Sequence, residues 1–355
     1  KEAKPPESEA KVLESKAPEE KPAESKAAGS KPAEVKPEKH TAEKAAEKPP
    51  EKAKEIAKAE PEPAKAKEAA PGKSAPEKTQ VAALPEPKLS PAPDPNLVEH
   101  GREGPLPIIG PDGREPWQVY ARPFDQTDKR PRIAVVITDL GLSGAATETA
   151  IQQLPGSVSL AFSPYAKGLD QWTNLARAAG HEVLMDLPME PIDYPEQDPG
   201  PYTLLTSIDP RQNLFKMQWL LSRTTGYVGV TNHMGSRFTT SGPDLKPVLD
   251  AIKARGLLFL DSRSSDQSIA AKMATDMGMP TTYNSRFIDA EASRDAIDSE
   301  LDEVEKLAKK TGFAVAMGTA YPVTMERVAA WVPKAEQRGF AIAPVSAMVN
   351  KQIAK

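Results

Sequence analysis

The sequence predicts an α/β fold: a barrel-like (β/α) arrangement of seven to eight mostly parallel strands behind a long disordered tail. Three observations carry that expectation. Short β-branched runs alternate strictly with helical stretches from Arg132 onward, which implies parallel strands joined by right-handed crossovers. The strand runs are continuously apolar, as in strands covered on both faces. No phosphate-binding glycine fingerprint follows the first strand, so a barrel is favoured over an open doubly wound sheet, which would also fit the alternation.

The chain has 355 residues, 37 of them proline, and a net charge of −4. Residues 1–100 hold 17 of the prolines, 19 lysines, 20 acidic residues and no aromatic; the first aromatic is Trp117. Such a segment cannot bury enough apolar surface to offset the entropy of ordering it. Loose repeats such as KPAESK (21–26) and KPAEVK (31–36) mark residues 1–100 as a semi-extended tether. A solubilising tail without specific reach is the other reading. The chain opens at Lys1 rather than Met, which raises the expectation of a removed signal peptide or membrane anchor upstream. Residues 101–131, with aromatics and a PDG turn, read as an ordered lead-in packed outside the domain, without function.

The folded part, 132–350, then reads in order. IAVVIT (133–138) is the first strand, and Ser143 starts a helix that closes before Pro155. SVSLAF (157–162), a helix near 168–179 and EVLMDL (182–187) follow. Asp209-Pro210 combines an N-cap with proline at the first helical position and starts a helix to about Arg223. YVGVT (227–231), a helix near 243–255, LLFLD (257–261), a helix near 267–277 and TTYNSRF (281–287) come next. A helix near 293–311, FAVAMG (313–318), a helix near 324–338 and FAIAPV (340–345) complete the pattern.

Composition removes several functions. Balanced charge argues against a nucleic-acid partner. The absence of cysteine excludes disulfides, thiolate zinc sites and cysteine nucleophiles, while leaving the redox compartment open. No run of 18 apolar residues is present to span a membrane.

In folds of this kind the site gathers at the carboxyl ends of the strands. Polar residues cluster there: Thr138-Asp139, Asp186, His233 in TNHMGSR (231–237), Asp261-Ser262-Arg263, and Gly318-Thr319. Asp139, Asp186 and His233 together are a ligand set for a divalent metal, with zinc expected, that leaves an open position for water. Each also has a plainer reading, as a cap or a loop hydrogen bond. His181 lies five residues before Asp186, about 16 Å along an extended strand, and is expected to be structural. Ser236 and Ser262 have no base arranged for a serine nucleophile, and Tyr321 and Trp331 read as packing before a sugar platform.

The segments ITDLG (137–141), AGHEVLMDLPMEP (179–191), TNHMGSRFT (231–239), GLLFLDSRSS (256–265) and AVAMGTAYP (314–322) resemble, in order and spacing, the divergent polysaccharide deacetylases, metal-dependent carbohydrate esterases of bacterial envelopes. The resemblance covers about 132–349 and implies Asp139, Asp186 and His233 as metal ligands. In the family two aspartates usually end the first strand, the first resembling a general base. A histidine usually precedes LPMEP, where this chain has Asp186. The last motif usually carries a histidine as acid. This chain has Thr138 and Thr319 at the two proton-transfer positions, and threonine does not titrate near neutrality. Asp261 is then the substitute base, with Arg263 or Arg237 orienting the sugar or stabilising the oxyanion, and Asn232 and Ser236 contacting substrate. Two functions follow from the resemblance. One is a degenerate periplasmic or envelope protein, tethered at the inner membrane, that binds a glycan such as peptidoglycan or a cell-wall enzyme. The other is an active enzyme releasing acetate from an envelope polysaccharide.

Overall fold

The computed structural model describes residues 88–352. Most of the expected tether, residues 1–87, lies outside the described residues. Residues 95–100, assigned to that tether from composition, instead form a 3-10 turn, Pro95–Leu97, and strand β1, Val98–His100. Asp94 caps the turn by accepting from the Asn96 amide, and β1 pairs with β2, Pro105–Pro107. Proline and charge counts averaged over a hundred residues hid this short ordered stretch.

Helix α1, Pro116–Val119, ends the lead-in and is followed by the repeating units. Strands β3 (Arg132–Leu140), β4 (Ser159–Phe162), β5 (Val183–Met189), β6 (Gly229–Met234) and β7 (Leu258–Asp261) alternate with helices α2 (Gly144–Gln153), α3 (Leu169–Ala178), α4 (Pro210–Leu221) and α5 (Gly242–Ala254). Helix α6 (Ala270–Asp276) leads to β8 (Thr281–Tyr283) and β9 (Arg286–Phe287), then α7 (Arg294–Thr311), β10 (Phe313–Thr319), α8 (Pro322–Gln337) and the short β11 (Ala341–Ile342). The expected N-caps Ser143 and Asp209 both accept from backbone amides, and Pro210 opens its helix.

The strands are parallel and run in the order β8-β7-β6-β5-β4-β3-β10-β9, with β11 added beside β3. TTYNSRF therefore forms two edge strands instead of one. Only Asn284 and Ser285 separate them, and the two amides point opposite ways, Asn284 to the Asp261 carbonyl and Ser285 to the Val315 carbonyl. One kinked segment thus spans both edges and curls the sheet into a barrel. FAIAPV contributes only two residues of strand before the 3-10 turn Val345–Met348.

Two apolar layers follow from the two-residue alternation of a strand. Ile133, Val135, Ile137, Val183, Met185 and Phe259 pack with the helices. Ala134, Val136, Leu184, Leu258, Leu260, Val315 and Met317 fill the barrel, joined by Leu97 and Tyr120 from the lead-in and by Val345 and Met348. The lead-in is therefore not a strap on the outside. It plugs the amino-terminal mouth, where Arg122 and Ser346 both donate to the buried Glu182 carboxylate.

Candidate functional site

At the opposite, carboxyl-terminal mouth the inward-facing positions become polar. The register sets Leu184 beside Gly229, Asp186 beside Thr231 and Pro188 beside His233. Thr138 and Thr319 are likewise direct partners on β3 and β10. The sequence places Asp139 on the other face of β3, yet the register slips between Ile137 and Leu140 and Asp139 adopts φ +62°. A bulge with a left-handed non-glycine residue re-aims a side chain at a cost of about 1–3 kcal/mol, which surrounding bonds must hold.

Those bonds define the centre. The Asp139 amide donates to Asp186 Oδ2 at 3.2 Å, and Asp139 Oδ1 lies 3.0 Å from His233 Nδ1. His233 is held by the turn Met234-Gly235, both left-handed, and a Cβ on Gly235 would meet Met189 Cβ at 2.8 Å. Asp186 is buried, and its Oδ1 has no partner; Thr231 Oγ1, on the adjoining inward position, is also buried and unpartnered.

Electrostatics follow from this crowding. Burial, then the charge of Asp139, pushes the Asp186 carboxyl up to about 7, against the pull of His233 and the Asp139 amide. Burial lowers His233, but its hydrogen bond with Asp139 and the charges of Asp139 and Asp186 outweigh it, and the imidazole is raised overall. Asp186 is thus favoured in its protonated form and His233 in its charged form.

Asp289, which the sequence reading passed over, follows the closing strand. Its Oδ2 accepts from the Thr319 amide at 2.6 Å and from Thr324 Oγ1 at 2.9 Å. Burial raises its pKa, and Asp139 adds to the shift. It lies two residues beyond the end of β9, and the strand-end rule extended past Phe287 to Ile288-Asp289 would have found it.

The expected metal ligands are neighbours, and their donor chemistry, two carboxylates and an imidazole with one orphaned oxygen, suits a divalent cation. Among the described residues, however, no group of three such side chains is arranged to hold an ion. Asp139 and His233 are closed on each other in a hydrogen bond. In this geometry Asp186 Oδ1 is the one carboxylate oxygen of the cluster that is buried and left without a partner.

Other expected site residues serve the loops. Asp261 is fully buried on the helix-facing side of β7; it accepts from the Arg263 amide, Ser268 Oγ and the Ala271 amide, so it is no substitute base. Alternation from Phe259 dictates this orientation. Asn232 is buried and braces the next loop, donating to Met234 O and Ser262 Oγ and accepting from the Ser262 amide. Ser236 Oγ accepts from the Ile192 amide. Arg237 donates to Ile192 O and lies 3.7 Å from Glu190, whose carboxylate accepts twice from Thr206. Arg263 turns to the barrel flank and stacks on Tyr283. His181 is buried against Val158 O and Ile151 O, a structural role as expected.

A family model described as divergent polysaccharide deacetylase matches residues 135–349. The uncharacterized protein YibQ of Escherichia coli (strain K12) is 26% identical over 194 residues, which is 55% of this chain and 60% of that protein. The match thus spans three fifths of that relative's length. An uncharacterized protein of Haemophilus influenzae is 28% identical over 200 residues, covering 55% of this chain and 68% of its own. The crystal structure of uncharacterized protein ATU2773 from Agrobacterium tumefaciens C58 is similar with a TM-score of 0.68 and 36% identity. It covers 69% of this chain and all of that one.

Proposed function

Because the chain belongs to the divergent polysaccharide deacetylase family, we propose that it is a degenerate member that holds an acetylated envelope glycan at the carboxyl-terminal mouth and releases little or no acetate. One observation carries this reading. The two positions at which the family resemblance puts a base and an acid are Thr138 and Thr319, direct register partners at the mouth. A positioned acid or base contributes about 10²–10⁴ in rate, and a hydroxyl that stays protonated supplies neither. The nearby candidate replacement, Asp261, has both oxygens engaged on the far side of its strand. The mouth keeps polar groups to meet sugar hydroxyls and an apolar rim for ring faces: Leu142, Ile192 and Tyr321, exposed just beyond β3, β5 and β10. Placement in the periplasm, behind a tether, belongs to the same proposal and rests on the family and on the Lys/Ala/Pro/Glu composition of residues 1–100.

The purified full chain is titrated with acetylated peptidoglycan fragments, with binding and acetate release read in parallel. Saturable binding without acetate is expected. Acetate release that disappears in Asp139→Ala would instead establish the second reading, metal-assisted hydrolysis. The orphaned Asp186 oxygen favours that reading, and Asp139, Asp186 and His233 would be the zinc ligands. Inductively coupled plasma mass spectrometry on the dialysed chain separates the two further, with near-stoichiometric zinc expected only for the second. Binding to a cell-wall enzyme in place of glycan would move the partner to a protein and leave the non-catalytic assignment intact.

A further inference from the structure

A separate cavity of about 390 Å³ lies on the barrel flank, beside the kinked closing segment. That volume falls at the lower end of small-molecule sites. None of Asp139, Asp186 or His233 lines it. Its walls are Leu307, Phe313 and Tyr283, and its polar lining includes Arg263, Lys351 and Ser285.

The charged groups of the lining, Arg263 and Lys351, are both donors. Among the described residues, no carboxylate lines the cavity and neither Arg263 nor Lys351 has an ion pair. Ser285 Oγ accepts from the Val315 amide and from Gln352 Nε2, which leaves its own hydrogen to offer.

Arg263 is also held in place in advance. Its backbone sits at φ +52°, its amide donates to Asp261 Oδ1 at 2.8 Å, and its guanidinium lies 4.1 Å from the Tyr283 ring centroid. A bulky residue in the left-handed region is strained, and here the buried Asp261 carboxylate maintains the strain. The result is a guanidinium fixed over an aromatic face, with none of its five donors hydrogen-bonded among the described residues.

We infer that this flank cavity is a binding site for a small oxyanion, a carboxylate or phosphate carried on a compact apolar body, with Arg263 as the anion-holding residue. The anion meets Arg263, Lys351 and the Ser285 hydroxyl, and the apolar body lies against Leu307 and Phe313. Bidentate pairing with a planar guanidinium suits either head group.

The test titrates the full chain with benzoate and phenyl phosphate, using benzyl alcohol as the neutral analogue and ligand-observed NMR as the readout. At least one anion is expected to bind more than tenfold tighter than the alcohol. Arg263→Gln should weaken it at least tenfold and Lys351→Gln by a few fold, while Asp139→Ala leaves it unchanged. Preference for phenyl phosphate identifies a phosphorylated ligand, and preference for benzoate an organic acid. Absence of binding by both anions up to about 10 mM, a weak limit for fragments of this size, would overturn the assignment. So would equal binding of the alcohol, unchanged affinity in Arg263→Gln, or loss in Asp139→Ala. Should Arg263→Gln not fold, the anion-against-alcohol comparison and Lys351→Gln still decide.

Discussion

At the residue scale the centre is governed by one buried carboxylate. Asp186 keeps a proton to about pH 7, whereas its ordinary value is 3.8. A carboxyl whose folded pKa lies above its unfolded one binds more protons in the folded state, so stability falls as pH rises from about 4 through about 7. Asp186→Asn keeps the shape and removes the charge. Its urea midpoint should exceed wild type at pH 8 and lose that advantage by pH 4; parallel midpoints at both pH values would refute the buried-charge account. Asp261 is bonded through both of its oxygens. Asp261→Ala strands two amides and a hydroxyl and should cost about 3 kcal/mol by denaturant titration, at a usual 1–3 kcal/mol for each buried group left unpaired. The same contrast shows how far single residues were legible. Asp139, Asp186, His233, Thr138 and Thr319 were found because strand ends collect site groups. Asp261 was misread because a strand end says nothing about which face its last residue takes. Asp186 shares the inward face of Leu184, and Asp261 the outward face of Phe259. Thr231 was hidden for a different reason, since only the register with Asp186 reveals it.

At the element scale, strand and helix order was readable because each continuous apolar run is covered on both sides. Within the repeating units, the element whose change of partner escaped the sequence is 281–287. Its β-branched and aromatic residues fit a single strand, and nothing local announces that it changes partner at Asn284. The switch is stabilised after folding, when Asn284 Nδ2 donates to Ser262 O and its Oδ1 accepts from the Arg286 amide. Neighbouring strands also approach unusually closely at Gly229, where a Cβ would meet the Leu258 carbonyl oxygen at 2.3 Å. Backbone on both sides cannot retreat without breaking the β6–β7 ladder. Gly229→Ala should therefore destabilise by on the order of 3 kcal/mol, in the range of the more severe core changes. A thermal midpoint equal to wild type would show that the two strands can part there.

At the scale of the whole molecule, the barrel carries different contents at its two ends. The carboxyl-terminal mouth holds the polar cluster, and the amino-terminal mouth is stoppered by Leu97 and Tyr120 from one chain segment and by Val345 and Met348 from another. Tyr120 is fully packed, and its hydroxyl accepts from the Asp94 amide at 3.0 Å. Tyr120→Ala should cost about 3–5 kcal/mol, as for other large aromatic truncations. Calorimetry would read this as a lower melting temperature, with glycan affinity unchanged below the transition. A loss of affinity without a loss of stability would contradict the separation of the two ends. The lead-in part of that stopper was not legible in the sequence, because Leu97 and Tyr120 lie in a proline-rich segment far from the strands they seal.

The stopper also has a mechanical meaning. Residues 88–120 meet the barrel at the end remote from the polar cluster. A load arriving along the upstream chain meets the Ser90 carbonyl on Arg177 and then Leu97 and Tyr120, in the manner of a cork on a string. The polar mouth lies outside that line of force. A protein tugged by its leading segment would thus keep its mouth in working order until the cork is drawn, and then lose the whole barrel in one step.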